Sequence, residues 1–145
     1  LERWNRRMGD RRLSRELALQ ALFSFDVNKS DPARGLEEFC VLREDELTDM
    51  VKPFFLDIVE GVLAAGDDID GLLNKYSKNW KLSRMPVVDR NIMRIATFEL
   101  LKRKDIPPSV TINEAVEIGK KFGTRDSGSF INGVLDRIRL QEGFE

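Results

Sequence analysis

The stretch PSVTINEAVEIGKKFGTRDSGSFINGVLDRI (residues 108–138) reads as two helices around a break, and that reading decides the fold class. Pro107 and Pro108 interrupt the chain before it. Ser109 or Thr111 then starts a helix over INEAVEIGKKF, which Gly123 ends. The next helix begins at Asp126 or Ser127, either of which can accept hydrogen bonds from the first free N–H groups. At about 100° per residue, Ile131, Val134, Leu135 and Ile138 fall within about 100° of one another and form a core stripe. Phe130 lies about 90° from the centre of that stripe. Gly133 costs about 1 kcal/mol relative to Ala in a helix interior. A close helix crossing is therefore expected there, with the neighbouring Asn132 bonding a partner backbone. Gly128 and Ser129 leave the helix start uncluttered, which suits an ordinary cap or the approach of a phosphate to backbone N–H donors.

The same periodicity extends toward the N-terminus. Leu13, Leu17, Ala18, Ala21, Leu22 and Phe25 predict a first helix over residues 10–27, with Asp10 as its N-cap. In SDPARGLEEFCVL, Asp31 caps a short second helix and Pro32 takes its first position. A third helix spans residues 51–65, with Pro53 in the opening turn where a missing N–H costs little. A fourth, over residues 68–78, carries Ile69, Leu72, Leu73 and Tyr76. A fifth opens near Pro86, with Val88, Ile92, Ile95, Ala96 and Leu100 inward and basic residues in its last turn. No segment reads as a strand. About seven helices with short links predict an all-α bundle. Residues 1–9 have little to bury and are expected to form a flexible basic arm on a single helical domain over residues 10–145.

Composition narrows the function. The chain has 145 residues, 41% hydrophobic and 34% charged, which fits one soluble globular domain. No run of about 18 apolar residues is present, so no membrane span is expected, and no secretory leader is read. One cysteine, Cys40, excludes an internal disulfide framework and fits a cytoplasmic location. The absence of histidine excludes Ser-His-Asp and Cys-His catalysis and His-containing zinc sites, while carboxylate chemistry stays open. No cofactor is expected. Net charge is −1, yet Arg3, Arg6, Arg7, Arg11, Arg12 and Arg15 crowd the first fifteen residues, so the acidic excess lies in the remainder.

On the first helix, the apolar stripe centres near Leu17, Ala21 and Phe25. Phe23 falls roughly opposite, on the face shared with Arg12, Arg15, Glu16 and Leu19. Two readings are open. Phe23 packs on a neighbouring helix, or it offers a ring to an unpaired base while arginines hold phosphates. Each such stack is worth roughly 1–3 kcal/mol, and single-stranded RNA suits it better than duplex DNA.

Four segments then carry a resemblance: RELALQALFSFD (residues 15–26), DRNIMRIATFEL (89–100), PSVTINEAVEIGKKFG (108–123) and DSGSFINGVLDRI (126–138). In order and spacing they closely resemble the NusB family of bacterial transcription antitermination factors. The match covers about residues 11–138 and is weakest over 28–49. The resemblance implies two small helical bundles packed across each other. It also implies binding of single-stranded boxA RNA together with the ribosomal protein NusE, within the transcription elongation complex on ribosomal RNA operons. On the matching positions it implies that Arg11, Arg12, Arg15, Phe23, Tyr76, Asp126 and Phe130 lie near RNA. Many members have Tyr at the position of Phe23, so the ring is kept and a phenolic hydrogen bond is lost. Tyr76 falls on the core stripe of its own helix. Asp89 matches an acidic position facing NusE.

The expected role is an RNA-binding adaptor rather than an enzyme. A NusB-like domain also occurs in a ribosomal RNA cytosine methyltransferase, but that reading requires a catalytic domain and a Gly-rich cofactor loop, hence a longer chain than this one. A protein-interaction module without RNA binding is the third reading. A homodimer is left open.

Overall fold

The computed structural model describes residues 2–78 and 80–145, with side chains from residue 9 onward. Its described residues form seven α-helices and no strand: α1 (Glu2–Asn28), α2 (Pro32–Leu42), α3 (Lys52–Ala64), α4 (Gly66–Tyr76), α5 (Val87–Lys102), α6 (Pro108–Phe122) and α7 (Ser127–Glu142). A single 3-10 turn, Leu82–Arg84, leads from α4 into α5. The arm expected over residues 1–9, with Arg3, Arg6 and Arg7, falls mostly on side chains outside the described residues. Asp10 is not a cap. It lies inside α1, where its carbonyl oxygen accepts the Ser14 hydroxyl at 2.9 Å.

Helix ends follow the backbone chemistry of their residues. Pro32 and Pro108 occupy first-turn positions where the missing N–H has no intrahelical partner to lose. α7 stops at Gly143, whose φ of 73° is the left-handed conformation that a residue without Cβ adopts freely.

Packing divides the helices into two groups. α1 lies on α2 and α3, and α6 and α7 form a closely packed pair; α5 touches α1, α3, α4, α6 and α7 and so joins the halves. Ten of the sixteen residues of α5 are buried accordingly. The core runs from Leu17, Phe55 and Ile58 through Met93 to Ile131, Leu135 and Ile138, all fully buried. Each contributes on the order of 1.5–3 kcal/mol by leaving water. α3 closes onto α5 because Gly61 has no side chain: a Cβ there would sit 2.1 Å from Phe98 Cε1. Gly133 is different. A Cβ there would meet only Arg137, at 3.9 Å, so no helix crosses closely at that point. Asn132 is exposed and its side chain makes no hydrogen bond among the described residues, so the expected backbone tie is absent.

Candidate nucleic-acid interface

The face of α1 opposite its apolar stripe is not a free polar surface. Arg15, Glu16 and Leu19 are all buried. Arg15, 3% exposed, grips Glu99 of α5 with two parallel bonds, Nε to Oε2 at 2.9 Å and Nη2 to Oε1 at 2.8 Å. Its Nη1 reaches Glu114 of α6 at 3.3 Å, and Thr111 donates to Glu99 at 3.0 Å. Two arginines thus balance two carboxylates inside the fold, because Arg12 also clamps Glu114, through Nε at 2.8 Å and through Nη2. Burial opposes the charge of Glu114, but the bonds from Arg12 and the charges of Arg12 and Arg15 outweigh it and hold its carboxyl below the usual range. Arg15, expected near RNA, is a fully engaged, buried guanidinium that ties α1 to α5 and α6. Arg12 keeps 39% of its side chain exposed. Arg11 lies with its guanidinium 5.1 Å from the centre of the Phe54 ring.

Further along the same face the surroundings change. Glu16 accepts from Lys121, in the last turn of α6, at 2.8 Å. Two turns on, Phe23 is 37% exposed, so of the two readings the ring is at the surface. One turn beyond Phe23, Asp26 takes bonds from Arg90 of α5 at 2.8 and 3.1 Å. The adjacent residue, Asp89, turns the other way and accepts from Ser127, the first residue of α7, at 2.7 Å. These ties join the middle of α1 to the end of α6, the end of α1 to the beginning of α5, and the beginning of α5 to that of α7. Phe23 lies one turn before the Asp26–Arg90 tie on α1, and the half-buried Phe130 lies one turn inside α7.

Asp126 occupies the N-cap position but makes no side-chain cap bond, and it is exposed. Ser127 does the local work: its hydroxyl oxygen accepts the Thr124 N–H at 2.8 Å. Gly123 makes room for that hydroxyl, since a Cβ there would lie 2.3 Å from it.

Two expected residues fall elsewhere. Asp89 is 3% exposed, and burial pushes its carboxyl above the ordinary range against the opposing effect of the Ser127 hydrogen bond. In this chain alone, Asp89, expected to face NusE, is buried and ties α5 to α7. Tyr76 donates its hydroxyl to Glu142, twelve residues beyond Phe130, or about 18 Å of helix. Arg137 donates to the Tyr76 carbonyl at 3.0 Å. Tyr76 is thus separated from Phe130 along α7.

Sequence reasoning passed over Lys120, Lys121 and Arg125. All three are exposed beside the start of α7. Lys121 stands 5.1 Å over the Phe122 ring, and the Arg125 side chain has no partner among the described residues. The signal is the basic run in KKFGTRD (residues 120–126) between two helices. Among the described residues, no group of three acidic or thiol side chains is placed to hold a metal ion. No described helix is long and apolar enough to cross a membrane.

Comparison with known proteins gives a consistent result. The model of the NusB family matches residues 12–139. The transcription antitermination protein NusB of Desulforapulum autotrophicum is 61% identical over 138 residues, covering 95% of this chain and 96% of the relative. The solved structure of T. maritima NusB superposes with a TM-score of 0.80 at 41% identity, over 90% of this chain and 91% of that one. A structure of antitermination factors NusB and NusE in complex with dsRNA has a TM-score of 0.81 at 24% identity, covering 92% of this chain and 98% of that one, and supports the fold alone.

Proposed function

The chain belongs to the NusB family, and we infer from that membership that it is a transcription antitermination factor and not an enzyme. We propose that it acts in the cytoplasm, within the elongation complex, by binding single-stranded boxA RNA together with NusE. Bases stack on Phe23 and Phe130, Arg12, Lys121 and Arg125 neutralise phosphates, and Asp126 accepts from base or ribose donors. Arg11 stands at the margin of this surface. Arg15 and Asp89 act through position: the first holds α1 on α5 and α6, the second sets the start of α7.

The observation that supports this reading most directly is Phe23. Phe23 keeps 37% of its surface open to a base, between two interhelix ion pairs, Glu16–Lys121 and Asp26–Arg90, that hold its helix in place. RNA alone is held modestly, since a few phosphate contacts on a single strand give a salt slope of only about −2 to −3.5. NusE adds contacts to the same surface, so each ligand tightens the other.

Titration of boxA RNA with the parent and Phe23→Ala, with and without NusE, tests the reading. A loss of roughly tenfold or more is expected for the variant. Equal affinity in both conditions would remove Phe23 from the interface. Light scattering over a concentration series, repeated with NusE, decides whether the free protein forms a homodimer through this face.

A further inference from the structure

A second cluster of aromatic and basic side chains lies outside this platform. The link from α4 to α5 and the first turn of α5 face the end of α1 across an open cleft of about 960 Å³. Trp80 lines it and is 50% exposed. Lys78, Lys81 and Arg84 line it too, all exposed, and none of their side chains has an ion pair or hydrogen bond among the described residues. The far wall is Asp26 and Arg90, which neutralise each other. The cleft therefore presents three uncompensated cations around a large ring.

The link holds its shape through its backbone. Ser77 donates to the Leu73 carbonyl at 2.6 Å and to the Trp80 carbonyl at 2.9 Å. Asn74 accepts the Leu82 N–H at 3.1 Å, and Arg90 donates to the Leu82 carbonyl at 3.2 Å. These bonds occupy main-chain atoms and leave the Trp80 ring and the three basic side chains unspent. The Asp26 wall is one turn of α1 from Phe23 and about 60° around the helix. Phe23 and the cleft thus lie toward the same end of α1.

We propose that this cleft is a further single-stranded RNA subsite, in which Trp80 stacks an unpaired base and Lys78, Lys81 and Arg84 hold the phosphates of nucleotides flanking the boxA element. The assignment rests on the RNA-binding reading above. An indole face takes any base, so the subsite selects unpaired strand and not sequence. An apolar peptide would leave three cations unanswered, and a purely acidic one would leave the ring unused.

Two probes test it: boxA RNA alone, and the same RNA lengthened at each end by a short uridine run. The parent is expected to bind the longer RNA roughly tenfold more tightly, with a salt slope steeper by about 2 from three added phosphate contacts. Trp80→Ala, checked by circular dichroism, erases that gain and leaves binding of the short RNA unchanged. In a Trp4→Phe background Trp80 is the only tryptophan, and its emission is quenched by the longer RNA. Equal binding of both RNAs by Trp80→Ala and the parent, with unaltered Trp80 emission at saturation, overturns the subsite while leaving the platform intact. Loss of short-RNA binding in Phe23→Ala tests the platform separately. A parent that binds neither RNA overturns both, as does Trp80 emission that responds to polyglutamate and not to the longer RNA.

Discussion

The two halves of α1 use the same kinds of residue to opposite ends. In the first half, Arg15 turns toward Glu99 and Glu114 and its charge is spent inside the fold, while Arg12 shares Glu114 and keeps part of its side chain exposed. In the second half, Phe23 is part-exposed, and of the cations at the α6–α7 junction Lys121 pairs with Glu16 while Arg125 has no partner among the described residues. The difference teaches that an arginine-rich helix start is not by itself an anion site. What decides is whether a carboxylate on a neighbouring helix reaches the guanidinium first. Residues 99 and 114 are far from 12 and 15 in sequence, so no local pattern reveals that competition.

The largest expected effect breaks the first half. Arg15→Ala strands Glu99 and much of Glu114 without a buried counter-charge. It is expected to cost about 3–5 kcal/mol of stability, measured by urea unfolding. Below its transition, the folded variant is expected to keep its RNA affinity to within about twofold, since the Arg15 guanidinium is engaged inside the fold. A large affinity loss without a stability loss would reverse the assignment of the two halves.

Next in size is the second half. Phe23→Ala is expected to lower RNA affinity by about 1–3 kcal/mol while shifting the unfolding midpoint little, because the ring is already in contact with water. Arg125→Ala is expected to act more gently, reducing the magnitude of the salt slope by about 0.7, as one phosphate contact is lost. A filter-binding series over salt concentration gives that slope directly.

The smallest effects come from titration. Glu114 is held below its ordinary value of 4.5 by its arginines. The unfolded chain binds that proton more readily, so the Glu114 contribution is complete above the unfolded value and is lost as pH falls through the folded one. Asp89 has the opposite sign. Its folded value lies above the ordinary 3.8, so its contribution is complete below that and is lost as pH rises through the folded value. Asp89→Asn still accepts from Ser127 and carries no buried charge. Its stability is therefore expected to gain on the parent as pH rises through the Asp89 titration, and to run parallel above it. Thermal unfolding over a pH series checks both signs.

Much of the fold is legible in the sequence because its signals are local. The 3.6 period placed seven helices, and Pro32 and Gly123 mark ends by backbone chemistry alone. Phe23 is visible as a ring off its stripe. Failures share one cause. Arg15, Asp89 and Gly133 each depend on what another helix brings to them, and a single helix wheel has no second helix. Tyr76 was already on its core stripe, and the structure holds it through Glu142 and Arg137, well along α7. Lys121 and Arg125 drew no reading from sequence, because a charge at a helix junction gains meaning only from the helix packed beside it, here α1 through Glu16.

The central claim is that RNA is received where α1 and α6 end and α5 and α7 begin. Chemical-shift mapping with boxA RNA on the isotope-labelled protein tests it most directly. The account predicts that the amides of Phe23, Lys121, Arg125, Asp126 and Phe130 shift progressively while those of α2 and α3 stay in place. Shifts confined to α2 and α3, with Phe23 and Phe130 unmoved, would contradict it.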